Sequence, residues 1–156
     1  MALRPASPHP PRTRRAPAGE RLVAIGDIHG DRRLLDDLLD QLAGAPPPDG
    51  HDDRLIFLGD YVDRGPDSAG VMDRVCAQLD RRPGTVALKG NHEDLMLRFL
   101  RSGDPRACAL WLMNGGEATL ASYDLDPPAD PMDPAEAAAC RDRLDHALPD
   151  AHRRLL

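Results

Sequence analysis

Aromatic residues are scarce in this chain of 156 residues, with one Trp, two Tyr and two Phe making up 3%. The interior must therefore be built from Leu, Val, Ala and Met. Cysteine is sparse too: Cys76, Cys108 and Cys140 are odd in number, widely spaced and form no C-x-x-C pair. That pattern argues against a disulfide framework and fits reduced thiols that serve as small apolar helix residues. No apolar run approaches the ~20 residues of a membrane span, and the N-terminus lacks the apolar core of a secretory signal. A cytoplasmic protein is expected. Basic residues are outnumbered, 20 Lys and Arg against 26 Asp and Glu, for a formal net charge of −6. Neither nucleic acid nor an anionic membrane is expected as a partner. Few Lys, Asn and Ile beside abundant Arg, Ala and Pro indicate a GC-rich coding bias.

The length suits one domain with a core of its own. Residues 1–19 are rich in Pro and Arg, have nothing to bury and are expected to be a disordered tail. Pro5, Pro8, Pro10, Pro11 and Pro17 also forbid the amphipathic helix of an organelle transit peptide. The domain is then residues 20–156.

Within it, one theme occurs three times: a short apolar strand runs into a glycine followed by a metal-binding residue type. The strands are Leu22–Ile25, Leu55–Leu58 and Val86–Leu88. They lead into Gly26-Asp27-Ile28-His29-Gly30, Gly59-Asp60-Tyr61-Val62-Asp63-Arg64-Gly65 and Gly90-Asn91-His92-Glu93. Continuous β-branched-rich runs are expected of parallel strands buried on both faces. The intervals, 60 − 27 = 33 and 91 − 60 = 31 residues, match the roughly 30 residues of a strand-helix-strand unit. All three loops would then meet at one sheet edge, where open α/β folds bind ligands.

Helices are expected over about Asp31–Leu42, Ser68–Leu79, His92–Leu100, Pro105–Met113, Glu117–Tyr123 and Ala135–Leu148, with a short helical turn at the end. In the first of these, Leu34, Leu35, Leu38, Leu39 and Leu42 share one face. Asn114-Gly115-Gly116 separates two helices, and the Pro- and Asp-rich stretch Asp124–Pro134 is expected to be a mobile loop or a lid.

The loop residues form a coherent donor set. Carboxylates and imidazoles without thiolates suit Mn, Fe or Zn. Asp27 and His29 can face one ion, and Asp60 can bridge it to a second about 3.5–4 Å away, with Asn91 offering that second ion a neutral oxygen. Two such ions would acidify a water for in-line attack on phosphorus. His92 is placed to protonate the leaving oxygen, with Asp63 to fix its tautomer. Arg64 can fork onto two phosphate oxygens. Taken singly, Asp27 or Asp60 serves equally well as a helix N-cap, Arg64 as a surface charge and either histidine as a solvated loop residue; the ordered recurrence favours the metal site. His9, His51, His146 and His152 fall outside the pattern and are expected at the surface, and Trp111 and Tyr123 are expected to anchor the core.

Together, GDIHG, GDYVDRG and GNHE resemble the calcineurin-like metallophosphoesterases. The DRG and GNHE forms resemble the phosphoprotein phosphatase family, and WLMNGGEATLASY resembles its bacterial serine/threonine phosphatase branch. The resemblance runs over about Arg21–Leu156. It implies metal roles for Asp27, His29, Asp60 and Asn91 and catalytic roles for His92, Asp63 and Arg64. It also implies a dinuclear centre, with Mn foremost, and a phosphoprotein or small phosphoester substrate. The implied fold is α/β, the N-terminal half of a metallophosphoesterase-type β-sandwich flanked by helices: three parallel βα units followed by helices. Members of that family complete the site with two further histidines and an arginine on a second sheet. No such motif follows here, so the domain is expected to be truncated at its C-terminus. Its second metal site is then incomplete, and one sheet face is left open to self-association. A dinucleoside tetraphosphate hydrolase is the alternative within the class, and a catalytically silent metal- and phosphate-binding fragment the alternative outside it.

Overall fold

Three strands pair in parallel in the order β1-β2-β3: β1 Glu20–Ile25, β2 Asp52–Phe57 and β3 Val86–Ala87. The register sets Val23 against Leu55, Ile25 against Phe57 and Phe57 against Ala87, so all three strands end at one level. These positions come from a computed structural model that describes residues 16–47 and 51–156. The tail expected to be disordered lies, for residues 1–15, outside the described residues.

A helix follows each strand: α1 Arg32–Gly44, α2 Ser68–Arg81 and α3 Asn91–Ser102. Side-chain carboxylates set the starts of the first two. Asp31 accepts the Leu34 N–H at 3.1 Å, and Asp67 accepts the Gly70 N–H at 2.8 Å, satisfying amides that a helix leaves free in its first turn. The rest is helical: α4 Pro105–Trp111, a π-helical turn Leu112–Gly116, α5 Glu117–Ser122, α6 Pro134–Ala147 and α7 Asp150–Leu155. Among the described residues, no helix is long and apolar enough to cross a membrane. The three cysteines are free, and burial pushes the Cys108 thiol up to about 11.

The core lies between the sheet and the later helices. Leu55, Phe57, Val71, Met72, Val75, Met96, Phe99, Trp111, Leu120 and Leu144 are fully buried there, each aliphatic or Phe side chain contributing about 1.5–3 kcal/mol. Burial of the sheet on both faces, expected from the continuous apolar runs, does not occur. Leu22, Leu58, Val86 and Leu88 are 42–49% exposed, so side chains alternate between a covered face and a bare one. On α1 the leucine stripe divides in the same way: Leu35 and Leu39 are buried, while Leu34 is 64% and Leu38 38% exposed.

One further expectation is corrected. His152 is 1% exposed rather than at the surface, because α7 packs back on α2 and turns that residue inward. Its Nδ1 meets the Tyr123 hydroxyl at 2.8 Å and its Nε2 the Asp73 carboxylate at 2.9 Å. The stretch after α5, expected to be a mobile loop or a lid, makes hydrogen bonds along its length. Leu125 N–H bonds to Leu120 O, Asp130 N–H to the Glu136 carboxylate, and Arg143 to Asp126 O.

Candidate active site

At the C-terminal ends of the strands the backbone enters left-handed space at the residues singled out above. Asp27 (φ 53°), His29 (45°), Asp60 (55°), Asp63 (72°) and Arg64 (72°) all have positive φ. Asp124, after α5, is the other non-glycine with positive φ among the described residues. Each such conformation costs of order 1–3 kcal/mol and persists only where its surroundings over-determine it. Here the first two loops hold each other in place. His29 N–H bonds to Asp60 O (2.8 Å), Gly30 N–H to Tyr61 O (2.8 Å), Gly65 N–H to His29 O (2.9 Å) and Asp67 N–H to Gly30 O (2.9 Å). The second and third loops approach still more closely. At Gly59 (φ 101°) a Cβ would lie 2.2 Å from the Gly90 nitrogen, so this contact requires glycine.

Glu93, in the first turn of α3, joins those two loops. Its carboxylate is fully buried and accepts four backbone N–H groups: Oε1 from Tyr61 (2.8 Å) and Val62 (3.3 Å), Oε2 from Asp60 (2.8 Å) and Gly90 (2.8 Å). Acidic placement at a helix N-terminus is also favoured by the macrodipole. Tyr61, which burial pushes well above the usual phenol range, donates its hydroxyl to Leu88 O and so fastens the end of β3.

On this frame, ligand atoms of Asp27, His29 and Asp60 come within 4.8 Å of one another. Asn91 stands exposed at the head of α3, and the neighbouring His92 N–H bonds to Asp60 Oδ1 at 3.0 Å. The Arg64 guanidinium lies between the two imidazoles, 3.0 Å from His29 Nε2 and 3.0 Å from His92 Nε2. Guanidinium only donates, so both Nε2 atoms are acceptors and both protons sit on Nδ1. The remaining contacts agree: His29 Nδ1 lies 3.0 Å from Val62 O, and His92 Nδ1 2.8 Å from Asp63 Oδ2. Each imidazole thus turns an Nε2 lone pair toward the site. The Asp27 and Asp60 carboxylates and the His29 Nε2, once Arg64 releases it, fit a divalent ion, as the donor types led us to expect.

Asp63 is fully buried, as is His92 to within 2%. Burial raises the Asp63 carboxyl above its ordinary range, while hydrogen bonds from Thr119, His92 and Trp111 oppose that rise.

A sequence profile described as calcineurin-like phosphoesterase matches residues 20–131. The chain belongs to the calcineurin-like phosphoesterase family. It is 39% identical over 93 residues to "Serine/threonine-protein phosphatase 2" of Escherichia coli, covering 60% of this chain and 37% of that protein. To "Serine/threonine-protein phosphatase 1" of Salmonella typhimurium it is 40% identical over 96 residues, covering 60% of this chain and 38% of that one. To "Bis(5'-nucleosyl)-tetraphosphatase PrpE [asymmetrical]" of Geobacillus thermodenitrificans it is 37% identical over 112 residues, 68% of this chain and 42% of that one. The chain thus spans less than half the length of these relatives.

Of the seven residues marked in the sequence, Asp27, His29, Asp60, Asp63 and Arg64 lie on the first two strand-end loops of this family member, and Asn91 and His92 open α3 after the third strand. Sequence reasoning assigned no site role to Glu93, Thr119 or Ser68, and marked Trp111 only as a core anchor. For Glu93 a signal was available, an acid three residues after the helix-capping position, Gly90. For Trp111 and Thr119 none was, since their partner Asp63 is about fifty residues away in sequence; Ser68, five residues from Asp63, accepts its N–H at 3.1 Å. Replacing Glu93 by Gln puts an NH₂ where one carboxylate oxygen now accepts two amides. We expect Glu93→Gln to lower stability by about 2–5 kcal/mol in urea unfolding and to speed amide exchange at one pair, Asp60/Gly90 or Tyr61/Val62. A loss under about 1 kcal/mol would contradict the bracing role.

Proposed function

We propose that this site hydrolyses phosphate monoesters with water as the nucleophile, and that its substrates are serine/threonine phosphoproteins. The observation that carries the reading is the convergence of Asp27, His29 and Asp60 on one point, beside an Arg64 fork shared with His92. In this reading Asp27, His29 and Asp60 hold one divalent ion, and Asp60 and Asn91 reach a second; Mn suits these donors, as do Fe and Zn. When bound, the ions polarise the phosphoryl oxygens and lower the pKa of a water for in-line attack.

The chain's own residues supply the rest. The two terminal nitrogens of Arg64 each meet a separate acceptor at 3.0 Å, His29 Nε2 and His92 Nε2, and the same two donors can fork onto two oxygens of one phosphate. His92 donates to the leaving oxygen from Nε2, which requires a second proton on the ring. Asp63, bonded to Nδ1, stabilises the imidazolium so formed and prevents the ring from turning. The relatives named as protein phosphatases favour the phosphoprotein substrate, as do His29 in GDIHG and Asp63 in GDYVDRG. The relative named as a dinucleoside tetraphosphatase supports the second reading. Free, buried thiols at Cys108 and Cys140 support a reducing, cytoplasmic setting. We take residues 20–156 as one domain.

With Mn added, the chain should hydrolyse a phosphoserine peptide faster than diadenosine tetraphosphate, and His92→Ala should lower kcat by about 10²–10⁴-fold. Preference for the dinucleotide would establish the second reading. No turnover of either substrate would identify a silent binding fragment. The same reading includes self-association of the isolated chain through Leu22, Leu58, Val86 and Leu88. Sedimentation should show dimers or larger species that Leu58→Lys weakens; a monomer with a cooperative melt would rule this out.

A further inference from the structure

The segment from Trp111 to Thr119 has no part in the proposed metal and phosphate roles, yet three of its groups end on Asp63 and Arg64. Trp111 Nε1–H donates to Asp63 Oδ1 at 3.0 Å, and the Thr119 hydroxyl donates to the same oxygen at 2.7 Å. The Gly115 carbonyl accepts the Arg64 N–H at 3.1 Å. Gly115 has a φ of 102°, and a Cβ on it would lie 2.8 Å from the Arg64 nitrogen. A left-handed glycine in a helical kink thus meets the left-handed residue that bears the guanidinium.

The hydrogen bookkeeping around Thr119 closes. Its hydroxyl gives its one proton to Asp63 Oδ1 and accepts the Asp63 N–H at 2.8 Å; Ser68 Oγ, 3.1 Å away, fills the remaining lone pair. Thr119 thus holds the Asp63 side chain and shares its backbone N–H with Ser68 Oγ, which accepts it at 3.1 Å. Trp111 is fixed in turn, fully buried and stacked on Phe99 at 5.4 Å between centroids and 23° between planes. With Oδ1 held by two donors the carboxylate cannot rotate, and Oδ2 is left facing His92 Nδ1.

We propose that Trp111 and Thr119 are positioning residues: by holding Asp63 Oδ1 they aim Oδ2 at His92 and so fix the direction from which that imidazole delivers its proton. The kinetic part of this proposal rests on the phosphate-ester hydrolysis proposed above; the structural part does not. Proton delivery matters most when the leaving oxygen is a poor leaving group, so loss of aim should depend on the ester.

The test uses Thr119→Val, which keeps the shape and removes the hydroxyl, Thr119→Ser, which restores it, and Trp111→Phe, which keeps a stacked ring. In the metal-free ¹⁵N-labelled chain, the His92 Nδ1–H resonance should be slow to exchange in the parent and in Thr119→Ser. It should be lost to exchange in Thr119→Val and weakened in Trp111→Phe. With Mn, Thr119→Val should lose roughly 10- to 100-fold more kcat on phenyl phosphate than on p-nitrophenyl phosphate, with little change in KM. A His92 Nδ1–H equally protected in folded Thr119→Val and Trp111→Phe overturns the proposal, as do equal losses on the two esters. If the parent hydrolyses neither ester, the proposed function fails, and the resonance alone decides the positioning role. Trp111→Phe serves as the deciding variant if Thr119→Val does not fold.

Discussion

The arrangement depends first on one buried carboxylate. Glu93 gathers four amides from two loops that are about thirty residues apart in sequence. A single strained loop could relax by itself, at no cost to its neighbours. Here relaxation at Asp60 would strip two N–H groups, at Asp60 and Tyr61, from a buried charge, which costs more than the strain it would relieve. The left-handed residues at the site are therefore affordable as a set. The first loop is secured by the second through backbone bonds, and the second by the third through Glu93. The tip of the second is held by Trp111, Gly115 and Thr119.

That order of dependence separates what could be read in the sequence from what could not. Strand-end placement of Asp27, Asp60 and Asn91 follows from short apolar runs and glycines, which are local signals with a fixed physical meaning. So do the helix starts at Asp31 and Asp67, where a short acidic side chain precedes a periodic stretch. Contacts across long sequence distances were not legible. Nothing near Thr119 shows that its hydroxyl meets Asp63, and nothing near His152 shows that α7 returns to α2. Nor could apolar content tell which sheet face is covered, because Leu22 and Leu55 are equally apolar and only the packing of the helices distinguishes them.

The same geometry relates the chain to its family. Membership follows from the profile match over residues 20–131, and the relatives extend well beyond the matched region. In the proposed reading the first ion has three protein ligands from two interlocked loops. The second has Asp60 and Asn91 alone, and a divalent ion held by two protein donors depends on water for the rest of its shell. In the same reading, the exposed Arg64 and the buried His92 would grip substrate and deliver the proton from beside the first ion's ligands.

The central claim is that the interlocked strand-end loops make one divalent-metal site from Asp27, His29 and Asp60. It is tested most directly by titrating Mn into the metal-free chain and following the free ion by electron paramagnetic resonance. The account predicts one ion bound in a first, tighter step. That step should be lost in Asp27→Ala and His29→Ala and retained in Asn91→Ala. Tight binding that survives loss of Asp27 and His29, or a first step that depends on Asn91 alone, would contradict it.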